Sequence, residues 1–289
     1  MSSNPSSLLI VGCGYLGLRV ASLATEAGWK VYGTSRKESR RSELQNSGAE
    51  PVIFDLLNPV THRNLPQVQK WLWCPAFDRS QGVSPEAAIT TGLIQTLQNV
   101  KQPPEHLVFV STTGVFHQND GSWVDEMSET EPVSESGVAH LRSETLISGW
   151  GHANRAKWQI LRLSGLYGPG RWIRRKSIES GEPISCDPDS WLNLLHIEDA
   201  ARGCLAVLGS DPESERTHGL FCVTDDRPVL RREFYQTSAR LLKAPDPVFQ
   251  IPQNGDFGGN KRVSNRKFKE VFGWKPQLSD INSGLPACF

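Results

Sequence analysis

The sequence lacks the features that mark two large classes of protein. Its 31 lysine and arginine residues are balanced by 31 aspartate and glutamate residues, so the chain carries no net charge. This balance argues against a nucleic-acid binder that is held mainly by phosphate contacts. None of its apolar runs approaches the roughly 20 residues that a helix needs to span a bilayer. The sequence therefore predicts neither a nucleic-acid partner nor a membrane partner.

Cysteine and histidine are few, and their spacings are not those of metal or redox sites. None of the six cysteines forms a CxxC pair, and the seven histidines form no HExxH motif. No metal site is therefore expected. Most cysteines lie in apolar stretches, which predicts buried free thiols in a reducing compartment. The first residues lack the basic start and the apolar length of a signal peptide, so we expect a cytoplasmic protein.

The first half of the chain alternates short apolar runs with segments of helical periodicity. The apolar runs predict strands at 7–11, 30–34, 51–54, 71–74, 106–110 and 158–163. The helical segments lie at 15–27, 86–99 and 138–149. Alternation of this kind predicts an α/β fold with a Rossmann-type, doubly wound parallel sheet.

The second half is less regular and predicts a smaller C-terminal α+β lobe. Its pattern indicates strands at 192–197 and 221–223, and helices at 199–208, capped by Asp199, and at 231–242. A Gly-Pro-Gly turn that ends at Gly170 suggests a boundary there. We therefore predict a Rossmann domain over 1–170 and a substrate-side lobe over 171–289, with 192–208 packing back on the Rossmann sheet.

A glycine-rich loop joins the first predicted strand to the first predicted helix. It reads GCGYLG, which is the GxGxxG pattern in the strand–helix context that the pattern requires. Gly12 permits the tight turn, Gly14 lets the backbone approach a pyrophosphate, and Gly17 lets the helix pack closely on the strand. The helix N-terminus then offers N–H groups and the positive end of its dipole to the phosphates. An ordinary glycine-rich turn is the alternative, and we favour a dinucleotide site that also includes Tyr15 and Leu16.

The end of the second strand indicates which dinucleotide binds. Enzymes that use NAD usually carry an acidic residue here, which binds the ribose hydroxyls. The segment reads GTSRK and contains no acid. The guanidinium of Arg36, next to Ser35, can instead bind a 2′-phosphate bidentately. Solvated loop charges are the alternative role of Arg36 and Lys37, and we predict NADP in preference to NAD.

Together with several later segments, this loop is similar to the extended short-chain dehydrogenases/reductases, the NAD-dependent epimerase/dehydratase family. The shared segments follow in the family's order over nearly the whole chain: FDL at 54–56, VSTTGVF at 110–116, LRL at 161–163, LYGPGR at 166–171, LHIED at 195–199, RVSN at 262–265 and FGW at 272–274. The resemblance implies that Asp55 accepts a hydrogen bond from the adenine amine while Leu56 flanks the ring. A cap after the third strand is the alternative role of Asp55.

The resemblance also implies where the nicotinamide and the substrate bind. Ser111 and Thr112 would line the nicotinamide end, with Thr112 at the family's catalytic Ser/Thr position. Strand-end turn residues are the alternative for both. Tyr167 and Arg171 fall in the segment that begins the substrate-binding region of this family. Basic side chains follow closely, and they suit a phosphate or carboxylate unless they are simply solvated.

One departure from the family bears directly on the chemistry. The family pairs a tyrosine, which gives or takes the substrate hydroxyl proton, with a lysine in a YxxxK motif that lowers the tyrosine pKa. This chain has no such pair, and no lysine lies between Lys101 and Lys157. Alignment of the helix places Ser136 at the tyrosine position and His140 at the lysine position. The chain therefore resembles a small atypical, epimerase-like group of the family, which carries WVDE after the fifth strand as this chain does at 123–126.

Two interpretations of function follow. In the first, the chain is an NADP-linked oxidoreductase or epimerase-like enzyme that acts on a small-molecule substrate. Ser136 and His140 would then form a proton relay opposite Thr112, because the pKa of histidine suits proton transfer. An ordinary surface histidine is the alternative for His140, and we prefer it to the relay. In the second interpretation, the protein is a non-catalytic NAD(P)-binding sensor or regulatory module. We favour the enzyme, and the resemblance implies a homodimer.

Overall fold

The computed structural model describes residues 6–75, 82–211, 214–252 and 259–289. Its largest feature is a seven-stranded sheet. The strands of the described chain are β1 (Ser7–Val11), β2 (Lys30–Ser35), β3 (Glu50–Ile53), β4 (Lys70–Trp73), β5 (His106–Thr112), β6 (Trp123–Val124), β7 (Lys157–Leu163), β8 (Gly165–Tyr167), β9 (Ile184–Ser185), β10 (Trp191–Leu192), β11 (Leu194–His196), β12 (Gly219–Val223), β13 (Val229–Leu230), β14 (Phe249–Gln250) and β15 (Arg262–Val263).

Helices of very different length connect these strands. They are α1 (Tyr15–Glu26), α2 (Arg41–Asn46), α3 (Gly92–Asn99), α4 (Glu135–Asn154), α5 (Arg175–Ser180), α6 (Ile197–Leu208), α7 (Arg231–Leu242), α8 (Arg266–Phe272) and α9 (Ile281–Gly284). A π-helical turn at Glu86–Thr91 runs directly into α3. Short 3-10 turns lie at Glu38–Arg40, Pro59–Asn64, Thr113–Val115, Glu215–Thr217 and Pro286–Cys288.

The order of strands in the large sheet is β12-β7-β5-β4-β1-β2-β3. The pairs β1–β2, β2–β3, β1–β4 and β4–β5 are all parallel. The chain moves outward from β1 to β3 and then returns to β4 on the other side of β1. A crevice for ligands forms at such a reversal, outside the carboxyl ends of the strands. This topology confirms the predicted Rossmann-type doubly wound sheet.

Burial on both faces explains why the central strands are continuous apolar runs. In β1, the side chains from Leu8 to Val11 are at most 1% exposed, and Trp71 and Trp73 of β4 are equally buried. A strand covered by helices on both sides has no polar face to alternate with. The helix that follows β1 ends where Gly28 adopts a φ of 81°, as the glycine there predicts.

The second half departs from its predicted elements at residues 192–199. The predicted single strand is two strands, because β10 pairs antiparallel with β13 while β11 pairs parallel with β8. The helix α6 begins at Ile197, so Asp199 lies inside its first turn. Its carboxylate accepts the N–H groups of Gln277 and Leu278, both at 2.8 Å. The predicted cap was therefore wrong, because Asp199 binds a distant backbone segment.

The chain folds into two compact units, and each is assembled from three separate segments. Unit 1 comprises Met1–Val115, Glu131–Arg162 and Ala201–Phe221, and unit 2 comprises Phe116–Thr130, Leu163–Ala200 and Cys222–Phe289. The sequence pattern had suggested a single boundary near residue 170. Leu9, Trp71, Phe109 and Ile147 belong to the core of unit 1. Tyr167, Phe234, Tyr235 and Ile281 belong to that of unit 2.

All six cysteines are free, as their positions in apolar stretches predict, and four of them are buried. Burial raises the pKa of the Cys13 thiol to about 12, so this residue of the glycine-rich loop stays protonated.

Among the described residues, no helix combines the length and the apolarity that crossing a membrane requires.

Candidate dinucleotide and active site

The glycine-rich loop takes a conformation that depends on its glycines. Gly12 has a φ of 95°, and a Cβ atom there would lie 2.3 Å from Cα of Pro75. A Cβ atom on Gly17 would lie 2.7 Å from the carbonyl oxygen of Gly12. The Gly12 N–H donates to Oγ1 of Thr34 at 2.9 Å, which ties the loop to the end of β2. The start of α1 is thereby held close to the loop, as the GxGxxG pattern predicts.

A cavity of about 320 Å³ opens beside this loop in unit 1. Its size falls within the range of small-molecule sites. It brings together six of the predicted cofactor residues, which are Gly12, Gly14, Ser35, Arg36, Asp55 and Leu56. Tyr15, Leu16 and Gly17 are not part of its lining, and Leu16 and Gly17 are buried against the sheet. The residues after β2 and β3 thus meet the glycine-rich loop at one end of the sheet.

Three cationic side chains line this cavity, namely Arg36, Lys37 and Arg40. Arg36 and Lys37 are exposed. Arg40 ends a 3-10 turn, and its Nε donates to Glu43 at 2.6 Å, which orients the guanidinium. The sequence analysis missed Arg40, because only the 3-10 turn places it beside Arg36. Arg40 could have been recognised from the sequence as a second basic residue, four positions after Arg36.

Ser35 and Asp55 shape the turns that carry their neighbours. The Ser35 hydroxyl accepts the N–H of Lys37 at 3.1 Å and donates to its carbonyl, so it forms the turn that presents Arg36. Oδ1 of Asp55 accepts the N–H of Leu57 at 3.0 Å, so this carboxylate stabilises the turn after β3 while it lines the cavity. Asp55 thus stabilises the turn after the third strand, and its hydrogen bond to the adenine amine stays a prediction.

The first turn of α4 lies against the turn that follows β5. A Cβ atom on Gly137 would lie 2.7 Å from the carbonyl oxygen of Gly114, so only glycine permits this approach. Ser136 precedes Gly137 in this turn, and the ring of His140 lies 6.2 Å from the ring of Phe109 of β5, measured between the centroids. Oγ1 of Thr112 accepts the Gly114 N–H at 3.0 Å, which fixes its rotamer. The two elements that carry the predicted catalytic residues, α4 and β5, therefore pack against each other in unit 1, and a shared role of Thr112, Ser136 and His140 stays a prediction.

The proton positions on His140 follow from its hydrogen bond. Its Nδ1 lies 2.7 Å from the carbonyl oxygen of Ser136, and a carbonyl oxygen only accepts. Nδ1 therefore carries the proton, and in the neutral ring Nε2 carries a lone pair. Burial lowers the pKa of His140 from 6.5, which keeps the ring neutral at pH 7. The partner of His140 is thus the backbone of Ser136, whereas the predicted relay used its hydroxyl.

Ser111 belongs to a buried ionic cluster that the sequence analysis missed. Its hydroxyl donates to Oε1 of Glu144 at 2.5 Å, and Arg162 binds the same carboxylate through Nε and through Nη2 at 2.7 Å. The side chains of Glu144 and Arg162 are each 5% exposed. The Ser111 hydroxyl therefore faces the interior, whereas the resemblance assigns Ser111 to the nicotinamide end. The available sequence signal was Arg162, a charged residue within the apolar end of β7.

The two predicted substrate residues have contrasting environments in unit 2. Tyr167 is fully buried, and its ring packs edge to face on His196 with the centroids 5.2 Å apart. Pairing of β8 with β11 places Tyr167 in the core, and not at a surface where a substrate would touch it. Arg171 is exposed, and its backbone forms a tight bridge with Gly168. Substrate contact stays a prediction for Arg171 alone.

Comparisons with known proteins agree with this geometry. The sequence profile of the NAD dependent epimerase/dehydratase family matches residues 8–218. Protein YeeZ of Escherichia coli K12 is 25% identical over 94% of this chain and 96% of its own.

Solved structures show the same fold. A putative NAD-dependent epimerase/dehydratase from Methylobacillus flagellatus superposes with a TM-score of 0.79 at 27% identity, over 99% of this chain and 98% of its own. The UDP-glucose 4-epimerase of Thermus thermophilus, solved in complex with NAD, superposes with a TM-score of 0.81 at 19% identity, over 98% and 97% of the two chains.

Proposed function

Because this chain belongs to the NAD dependent epimerase/dehydratase family, we propose that it is an NADP-linked oxidoreductase or epimerase-like enzyme with a non-standard active site. The observation that carries this proposal is the cavity of unit 1, in which the glycine-rich loop faces Arg36, Lys37 and Arg40. The small-molecule substrate would bind beyond the nicotinamide end, near Thr112.

The residues of this cavity fit a dinucleotide that carries a 2′-phosphate. The glycine-rich loop and the N-terminus of α1 offer N–H groups to a pyrophosphate. The structural likeness to an epimerase in complex with NAD supports a nicotinamide cofactor. At the end of β2, where NAD enzymes place an acid, this chain has the guanidinium of Arg36, and Arg40 joins it in the lining. Paired guanidinium groups suit a phosphate dianion, whereas a ribose diol needs a carboxylate.

The residues near β5 and α4 supply a proton acceptor in place of the missing tyrosine. A bound dinucleotide would supply the nicotinamide ring that takes or gives a hydride. In the oxidative direction, the substrate hydroxyl gives its proton to Nε2 of His140, which carries the lone pair. The Thr112 hydroxyl donates a hydrogen bond to the same substrate oxygen, since its own oxygen already accepts from Gly114. General-base catalysis by a positioned histidine contributes about 10²- to 10⁴-fold to such a step.

Titration calorimetry with NADPH and NADH tests the cofactor. Arg36→Ala and Arg40→Ala should each weaken NADPH binding by about 10-fold or more, because each removes a charged contact to the 2′-phosphate. Neither substitution should change the affinity for NADH by more than about 2-fold, by the same reasoning.

Arg41→Ala is the matched control for this titration. Arg41 follows Arg40 in the chain, but it pairs with Glu38 and does not line the cavity. Its substitution should leave both affinities unchanged. Equal binding of NADPH and NADH by the natural chain would contradict NADP specificity, and binding of neither would sink the whole proposal.

A non-catalytic sensor is the second candidate, and the absence of a YxxxK pair favours it. Turnover of bound NADP with UDP-glucose, other nucleotide sugars and simple alcohols separates the two. If the protein is an enzyme, kcat/KM should be constant above pH 7. It should decrease at lower pH, around the pKa of His140, which burial holds under 6.5, since only neutral His140 accepts a proton. His140→Gln should lower the rate by about 10²-fold or more and abolish that acid limb. Tight NADPH binding with no turnover of any compound would favour the sensor, whereas an unchanged rate in His140→Gln would contradict the role of His140 as the proton acceptor.

A further inference from the structure

Two buried hydroxyl groups join the π-helical turn to the helix α4 in unit 1. Oγ1 of Thr90 donates to the carbonyl oxygen of Ala139 at 3.0 Å, and Oγ of Ser143 donates to Oγ1 of Thr90 at 3.1 Å. Thr90 is 1% exposed and Ser143 is fully buried. Closer to the solvent, Nη1 of Arg142 donates to Glu86 of the turn at 2.7 Å. The buried bonds run from Ser143 through Thr90 to a backbone oxygen, which only accepts.

The bond from Thr90 ends next to His140, the proposed proton acceptor. Nδ1 of His140 donates to the carbonyl oxygen of Ser136 on the same helix, so the ring is oriented relative to α4 itself. The place of Nε2 in unit 1 then depends on the contacts that hold α4. Gly137 packs on the turn after β5, and Thr90 binds the carbonyl oxygen of the residue before His140. Thr90 therefore holds the turn of α4 that carries the ring.

The π-helical turn also borders the dinucleotide cavity. Ala88, two residues before Thr90, belongs to the cavity lining, as does Leu56. Gly92 follows the turn directly, and a Cβ atom there would lie 2.8 Å from Cβ of Leu56. Single π-helical turns are rare and are frequent at functional sites. A ligand that fills the cavity would therefore contact the same turn that holds α4.

Burial makes the connection between the turn and α4 hard to break. Ile89, next to Thr90, is 3% exposed and packs in one core cluster with Ala139 and Ile147 of α4. A buried hydroxyl or carbonyl group that loses its partner cannot turn to water instead, and this loss costs free energy. A displacement of the turn must therefore either move α4 with it or leave the Thr90 hydroxyl unpaired.

We propose that Thr90 is a positioning residue that couples occupancy of the dinucleotide cavity to the placement of His140. A dinucleotide bound against Ala88 fixes the π-helical turn, and the Thr90 hydroxyl transmits this constraint to the backbone of α4 beside His140. The catalytic use of His140 rests on the proposed function, whereas the coupling through Thr90 does not. In the proposed enzyme, this coupling sets the proton acceptor in place when the cofactor binds.

Titration of the His140 ring by NMR tests the positioning without a substrate. The signals of this ring are assigned by their loss in His140→Gln. In the natural chain, burial lowers the pKa of His140 below 6.5, while the bond to Ser136 and the charge of Glu144 raise it. Thr90→Val removes the hydroxyl at a similar volume, so α4 should loosen and this pKa should rise by about 0.3 or more. Thr90→Ser keeps the hydroxyl and should titrate like the natural chain.

Adenosine 2′,5′-bisphosphate tests the coupling, because it carries the adenine and the 2′-phosphate of NADP but no nicotinamide that could reach His140. At saturation it should shift the His140 signals in the natural chain and in Thr90→Ser. In Thr90→Val the shift should be at most about half as large, because the coupling is weakened. Thr91→Val is the matched control, since Thr91 lies in the same turn and takes no part in the two buried bonds. It should behave like the natural chain in both measurements.

An unchanged His140 pKa in Thr90→Val would overturn the proposal. So would equal signal shifts in Thr90→Val and the natural chain, or no shift when the natural chain binds the bisphosphate. Should Thr90→Val not fold by circular dichroism, Thr90→Ala replaces it, because alanine also removes the hydroxyl and places no methyl group against the Ala139 oxygen. If the natural chain binds neither the bisphosphate nor NADPH, the proposed function fails, and the ligand-free titration still decides whether Thr90 positions His140.

Discussion

His106 occupies the first position of β5, where only 3% of its surface is exposed. Its Nε2 bonds Oε1 of Gln159, and Nε2 of Gln159 donates to the carbonyl oxygen of Thr217 at 2.9 Å. The amide oxygen of Gln159 only accepts, so Nε2 of His106 carries the proton and the ring is neutral. Burial lowers the pKa of His106 to about 4, because the charged ring would lose its water without gaining an anion.

This lowered pKa predicts a loss of stability in acid. The unfolded chain takes up the His106 proton near pH 6.5 and the folded chain only near pH 4, so stability is full above pH 6.5 and falls as the pH drops towards 4. Between pH 7 and pH 4.5, His106 should cost the folded state about 2 kcal/mol. Urea unfolding at both pH values measures this loss. The glutamine in His106→Gln still donates to Gln159 but does not titrate. Between the two pH values, the free energy of unfolding of this variant should therefore change by about 2 kcal/mol less than that of the natural chain. Equal pH dependence in both chains would contradict the assignment.

The residues of the candidate site differ in how far the sequence alone could place them. Gly12 and Arg36 were found because a local motif and its position after a strand carry their chemistry. Arg40 was missed because a 3-10 turn brings it to the cavity. Tyr167 was misplaced because the pairing of β8 with β11, which no local pattern reports, buries it.

At the scale of elements, α4 depends on two of its glycines in opposite ways. Gly137 in the first turn lies so close to the turn after β5 that a Cβ atom would be 2.7 Å from both the Gly114 oxygen and Cβ of Pro132. Gly149 lies later in the same helix, and a Cβ atom there would meet nothing within 4 Å. The two positions therefore separate packing against β5 from helix propensity.

Alanine substitutions at these glycines should change stability in opposite directions. Gly137→Ala should destabilise the protein by about 1–3 kcal/mol, because α4 must move away from the turn after β5. It should also weaken any turnover that depends on His140. Gly149→Ala should stabilise the protein by about 0.5–1 kcal/mol, since alanine favours the helix. Urea unfolding of both variants checks this, and destabilisation of equal size at the two positions would refute the close approach of α4 to β5.

The ends of α4 show why helix lengths were harder to predict than their positions. The periodicity indicated 138–149, whereas the helix runs from Glu135 to Asn154. Its start is set by Ser134, whose hydroxyl accepts the N–H of Gly137 at 3.1 Å. Its end is set by Arg155, which adopts a φ of 54°. Caps of this kind act on one or two residues, and they do not alter the apolar period from which a helix is recognised.

At the scale of the whole molecule, the chain leaves unit 1 and returns to it twice. Residues 116–130 and 163–200 belong to unit 2, between segments of unit 1. A sequence pattern is read in one direction, so it suggests one boundary, near the turn at 168–170. Long-range pairing decides otherwise, as when Val263 of β15 pairs with Val124 of β6.

The sequence by itself determined the alternation of strands and helices, the glycine-rich loop and the basic end of β2. Each of these rests on residues close together in the chain, where backbone conformation and apolar period decide the outcome. Only the tertiary structure decided that Arg40 joins Arg36 and that the Ser111 hydroxyl faces Glu144. These arrangements depend on which distant side chains share a volume that excludes water. Burial and charge balance are properties of that volume, and the order of residues along the chain does not report them.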